Sequence, residues 1–121
     1  MSQAQKVVAA YYEAFGRKEM KKLRALLAAD FTFRGSIMSF DSPDAFVKAM
    51  SELPFEWKVE GSKFICEGTR VAHAFVWKMT APAKVSVPMC EVFEVADGRI
   101  RSAELFYDSK LFPSMGPGNQ K

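Results

Sequence analysis

From residue 55 to residue 108 the polarity of the chain changes with a period of two, and only a β-strand presents successive side chains to opposite faces in that way. Phe55, Trp57 and Val59 alternate with Glu56, Lys58 and Glu60. Gly61 and Gly68 then bracket a strand through Phe64 and Cys66. Segments 71–79, 85–95 and 100–108 are each strand-length, joined by Ala81-Pro82-Ala83 at one bend and Asp97-Gly98 at the next. Asp-Gly between alternating runs is a strong short-range hairpin signal, because both residues tolerate the positive φ of a tight turn. The second half of the chain therefore reads as an antiparallel meander, with its apolar face requiring a cover.

The first half supplies that cover. Val7, Val8, Tyr11 and Phe15 recur at helical spacing over 3–15, and Gly16 ends the run. A second helix is expected over about 18–28, with Met20, Leu23, Leu26 and Leu27 inward. Residues 30–34 alternate as a strand, closed by Gly35. Ser42-Pro43-Asp44 combines a capping hydroxyl, a proline at the first helical position and an acid in the first turn, so 43–51 should be a short helix closed by Pro54. Helices before a four- to six-stranded meander imply an α+β fold with the helices on one sheet face. One domain over 1–121 is expected, with 113–121 a mobile tail that lacks apolar periodicity.

Composition narrows the function. The 17 basic and 14 acidic residues are interspersed, and the one basic cluster, Arg17, Lys18, Lys21, Lys22 and Arg24, reads as a solvated helix face, so a nucleic-acid partner is not expected. Two cysteines 24 positions apart and a single histidine offer no metal site. No signal peptide and no apolar run of membrane-spanning length is evident, so a soluble cytoplasmic protein without metal or cofactor is expected. The 11 Phe, 3 Tyr and 2 Trp favour an apolar pocket for a small molecule.

Cys90-Glu-Val-Phe-Glu-Val-Ala-Asp-Gly-Arg-Ile100 followed by Leu105-Phe-Tyr-Asp108 resembles the closing hairpin of SnoaL-like proteins. Tyr11-Tyr-Glu-Ala-Phe15 and Leu23-Arg-Ala-Leu-Leu-Ala-Ala-Asp-Phe-Thr-Phe33 resemble their front half. The resemblance covers most of 5–112 and implies the cone-shaped roll shared with ketosteroid isomerase, polyketide cyclases, epoxide hydrolases and nuclear transport factor two: a curved antiparallel sheet with N-terminal helices enclosing an apolar pocket. Residue by residue, it places the isomerase's oxyanion tyrosine at Tyr11 and its protonated acid at Glu91. The isomerase's base falls at or beside Gly35, and no carboxylate lies between Phe31 and Phe40. The Arg-Asp pair of the epoxide hydrolases is not evident either. Both departures argue against those reactions by the same route.

On residues alone, Glu91 interrupts the otherwise apolar face of Val85, Val87, Met89, Phe93 and Val95, and burial there would raise its pKa toward neutrality. The alternative is a Glu91 kept wet, or paired with Arg34 or a lysine. His73 lies on the face of Val71, Phe75, Trp77 and Met79, as a tunable base or a core imidazole. Glu91, His73 and Tyr11 are thus the candidate catalytic groups. Phe15, Phe33, Trp57, Phe75, Trp77, Met89, Phe93 and Tyr107 are the candidate pocket wall. Asp108 is expected to fix a strand end.

Two functions remain open: an acid-base isomerase, cyclase or dehydratase, or a binder, for an apolar cyclic molecule; and a non-catalytic dimeric module with a filled core. In either case a homodimer is expected through the outer sheet face, where Ala72, Ala74, Val76, Cys90, Val92 and Phe106 form an apolar patch.

Overall fold

The structure is a computed structural model, and it describes residues 2–111. Ser2 and Ser42 accept hydrogen bonds from the backbone N–H groups of Gln5 and Ala45, each at 3.1 Å. These caps open α1 (Gln3–Gly16) and α3 (Pro43–Ser51), the latter with its proline in the first turn as the sequence requires. Between them lie α2 (Met20–Ala25), β1 (Leu27–Arg34) and the two-residue β2 (Ser39–Phe40). The meander follows as β3 (Glu56–Glu67), β4 (Arg70–Ala81), β5 (Val85–Ala96) and β6 (Arg99–Tyr107), and a short 3-10 turn, Ser109–Leu111, ends the described chain.

The six strands form one sheet in the order β2-β1-β6-β5-β4-β3. The α+β architecture with helices over one sheet face is the one the sequence implies. Asp97 and Gly98, at φ 53° and 76°, make the turn between β5 and β6, where Ala96 pairs with Arg99. From the helices, Val7, Val8, Tyr11, Leu23 and Phe46 pack on Phe31, Val71, Phe93 and Ile100 of the sheet, and all of these are buried. The tail expected at 113–121 lies outside the described residues.

Three local details differ from the sequence reading. The second helix stops at Ala25, and Leu27 is already strand: Ile100 donates its N–H to the Leu26 carbonyl at 2.8 Å, and Leu27 pairs with Ile100, both buried. Partners over seventy residues away thus override a local helix preference. The β1–β6 pairing is parallel, the one such pair among the described strands of an otherwise antiparallel sheet. Finally, Glu56–Glu67 is one long strand rather than two, because a register shift between Glu60 and Lys63 absorbs Gly61 without breaking the ladder.

Of the basic cluster, Arg17, Lys22 and Arg24 pair with Glu13, Glu19 and Asp44 on the surface. No described helix is long and apolar enough to cross a membrane.

Candidate functional site

Alternation along β5 sends Val87, Met89, Glu91, Phe93 and Val95 to the helix side of the sheet, and all five are buried. Glu91, at 4% exposure, is the carboxylate among them. Its side chain lines a cavity of about 90 Å³ formed by α1, α3, β1 and the inner faces of β3 to β6. Seven of the eight residues expected as pocket wall do line it: Phe15, Phe33, Trp57, Phe75, Trp77, Met89 and Tyr107. Phe93 does not. It packs behind the wall, 5.2 Å from the Tyr11 ring and 5.8 Å from the Tyr12 ring, in edge-on contacts.

The partner of Glu91 is a residue the sequence reading passed over. Tyr12 donates its hydroxyl to Glu91 Oε1 at 2.5 Å. Arg34, the partner considered from sequence, is engaged elsewhere, with Asp41 at 2.6 Å and the carbonyls of Phe33 and Phe40. Tyr11 and Tyr12 both line the cavity, and Tyr11 also bears on the Glu91 carboxyl. The signal for Tyr12 was present in the spacing Val8, Tyr12, Phe15, a second inward row one residue round the helix from Val7 and Tyr11.

Burial sets the proton affinities. Removal from water penalises the carboxylate and pushes the Glu91 pKa up to about 7, although hydrogen bonds from Tyr12 and Tyr11 oppose the shift. The same burial, with the Glu91 charge beside them, holds both tyrosine hydroxyls well above their ordinary value. Tyr107 is raised by burial alone. Glu91 is therefore the group in the cavity wall that changes protonation near neutral pH.

His73 is on the same inner face, directly opposite Glu91 in the β4–β5 ladder, but it does not line the cavity. Its ring lies parallel to Phe64 at 4.2 Å and stacks on Phe75 at 4.5 Å with a 26° tilt, with the Tyr12 ring edge-on at 4.5 Å. Among the described residues neither ring nitrogen has a hydrogen-bond partner, and burial lowers its pKa to about 4. His73 is thus a neutral ring in an aromatic stack behind Tyr12. Asp108 does fix a strand end, accepting from the Lys110 N–H at 2.9 Å.

Gly35 is more than a missing carboxylate. A Cβ there would stand 3.0 Å from the Phe33 ring and 3.1 Å from the Met38 carbonyl oxygen, closer than side chains ordinarily pack. A side chain at that position would require the Phe33 ring and the β1–β2 bend to give by a few tenths of an ångström. Among the described residues no three His, Cys, Asp or Glu side chains converge as a metal site. Cys66 and Cys90 are free, with the Cys66 thiol donating to Gln5 Oε1 at 3.3 Å.

Comparison with known proteins places this geometry. Residues 8–103 match the model of the SnoaL-like domain. No curated protein sequence matches the chain. Among solved structures, an LEH-like epoxide hydrolase from M. tuberculosis superposes with a TM-score of 0.82 at 19% identity, covering 90% of this chain and 85% of its own. An NTF2-like protein from Burkholderia pseudomallei superposes at 0.78 and 20%, covering 92% and 98%. A protein provisionally named as a polyketide cyclase, from Xanthomonas campestris, superposes at 0.80 and 22%, covering 89% and 92%. At these identities the likeness is one of fold.

Proposed function

The chain belongs to the SnoaL-like domain family, whose fold houses isomerases, cyclases and epoxide hydrolases, and on that footing we propose that it binds a small apolar molecule bearing a carbonyl or hydroxyl and moves a proton on it with Glu91. The observation that carries this reading is the Tyr12–Glu91 hydrogen bond at the wall of an otherwise apolar cavity. With Oε1 accepting from Tyr12, a protonated Glu91 presents its other oxygen as a donor to a ligand oxygen. Once that proton is given, the carboxylate is held by Tyr12 and Tyr11, which lowers the cost of leaving charge in a dry site. The same carboxylate can then take a proton from a neighbouring carbon. One group acting as acid and then as base suits a proton shift, an aldol-type closure or a dehydration.

The test is exchange of the α-protons of cyclohexanone into D₂O, followed by NMR. Glu91→Gln keeps the shape and a donor but cannot titrate, so it should bind the ketone while losing exchange by about a hundredfold or more. Exchange that survives in Glu91→Gln overturns the assignment.

The small cavity and the absence of a carboxylate between Phe31 and Phe40 favour a second reading, a binding module without turnover. It predicts ketone binding with no exchange in the native protein. Both readings place a homodimer on the outer sheet face. Ile65 and Phe106 are 72% and 55% exposed there, in ladders with Ala72 and Val92 and with Ala74 and Cys90. Sedimentation should give twice the 13.6 kDa chain mass, and Val92→Glu should give the monomer. A native monomer at micromolar concentration refutes the dimer.

A further inference from the structure

A second hollow of about 110 Å³ adjoins the first and shares five of its wall residues: Phe15, Met50, Leu53, Phe55 and Trp57. What it adds is Lys18, Met20 and Ser51. The first hollow alone is small beside the several hundred Å³ of ordinary ligand sites, whereas the two together offer on the order of 200 Å³, room for two fused rings and a short substituent. Met50 of the shared wall is unbranched and readily repacks, so that wall can yield to a ligand that occupies both sides.

The two ends differ in polarity. At one end stand Glu91, Tyr11 and Tyr12, and at the other Lys18. Lys18 follows the end of α1 at φ 59°, the left-handed region that glycine occupies without strain and lysine does not. Its N–H closes the helix end on the Phe15 carbonyl at 3.1 Å, which fixes it beside a shared wall residue. Three other members of the basic cluster have carboxylate partners, but Lys18 forms no ion pair among the described residues. Ser51 donates its hydroxyl to the Lys48 carbonyl at 2.6 Å, and Lys18 is the charged residue among those lining the second hollow.

We infer that the ligand spans both hollows as an apolar ring acid: an oxygen function at Glu91 and Tyr12, fused rings between the aromatic walls, and a carboxylate at Lys18. The inference rests on the proposed function for its Glu91 end and adds the anionic end. An exposed ammonium is screened by water and salt, so its share of the affinity is modest and falls as salt rises.

Calorimetric titration with phenol, 6-hydroxy-2-naphthoic acid and 6-hydroxy-2-naphthamide separates the two ends. Phenol fills only the Glu91 end, and the acid and amide differ only in charge. The native protein should bind the acid about fivefold to tenfold more tightly than the amide at low salt. Lys18→Met should abolish that preference without altering phenol binding, and Lys21→Met, which removes an equal charge from a residue lining neither hollow, should leave it intact. Equal affinities for acid and amide, or an equal loss in Lys18→Met and Lys21→Met, overturn the inference while leaving the Glu91 site standing. If phenol binding is absent or indifferent to Glu91→Ala, the proposed function fails. An acid preference that persisted without that end would overturn a ligand spanning both hollows.

Discussion

Glu91 and His73 stand opposite each other on neighbouring strands, on the same face of the sheet, at 4% and 1% exposure. One has a short hydrogen bond and opens on a cavity. The other is stacked between two phenylalanine rings with neither nitrogen bonded among the described residues. Equal burial therefore does not make equal function. Desolvation acts on both by favouring the neutral form, raising the acid to about 7 and lowering the base to about 4. The difference is access: Glu91 stands in the cavity wall, while His73 is covered by aromatic rings.

Stability divides along the same line. A folded-state pKa raised from 4.5 to about 7 means the native protein loses stability as pH rises through that interval, because the unfolded chain releases the proton first. For His73 the sign is opposite: its folded pKa lies below the ordinary 6.5, so stability is lost as pH falls from 6.5 toward 4. Between pH 4.5 and 6.5 the two slopes oppose and nearly cancel.

Removing one member exposes the other. Glu91→Gln should gain on the native protein between pH 4.5 and 7 by up to about 3 kcal/mol, at about 1.36 kcal/mol for each pH unit separating the folded and unfolded midpoints, as read from urea midpoints across pH. A Glu91→Gln protein less stable than native at pH 8 would mean an ionised, paired carboxylate and would break the comparison. His73→Phe should show the mirror effect, a gain below pH 6 of about 1 to 2 kcal/mol. It is smaller because His73 sits on β4, next to the edge strand β3, where water penetrates on fluctuation. A loss of stability at low pH in His73→Phe would assign the imidazole a bonded, structural role. Tyr12→Phe sharpens the contrast further: without its donor the carboxylate is harder to form, so the Glu91 pKa should rise by about one unit. No change would leave Tyr11 as the hydroxyl that matters.

The sequence showed most of the frame, because strand alternation, caps and the Asp97-Gly98 turn are local signals. Pro43–Ser51 begins and ends where its cap and breaker residues place it. The early end of α2 and the parallel pairing of β1 were not legible, since both depend on Ile100, far along the chain. Within the site, alternation put Glu91 on the inner face but could not choose between adjacent tyrosines. That choice is made by the rotation of α1 on the sheet, which sends the Tyr12 hydroxyl to Glu91. Alternation likewise put His73 and Phe93 on the correct face without showing that other aromatic rings would stand between them and the cavity.

In the native fold Glu91 exchanges its proton near pH 7, so acid and carboxylate forms coexist at neutral pH. Selective ¹³C labelling of glutamate, with the Glu91 resonance assigned by its loss in Glu91→Gln, allows the carboxyl to be titrated directly by NMR. The expected midpoint is about pH 7, well apart from the surface glutamates. A Glu91 midpoint at or below 4.5, the ordinary value for the side chain, would contradict the claim.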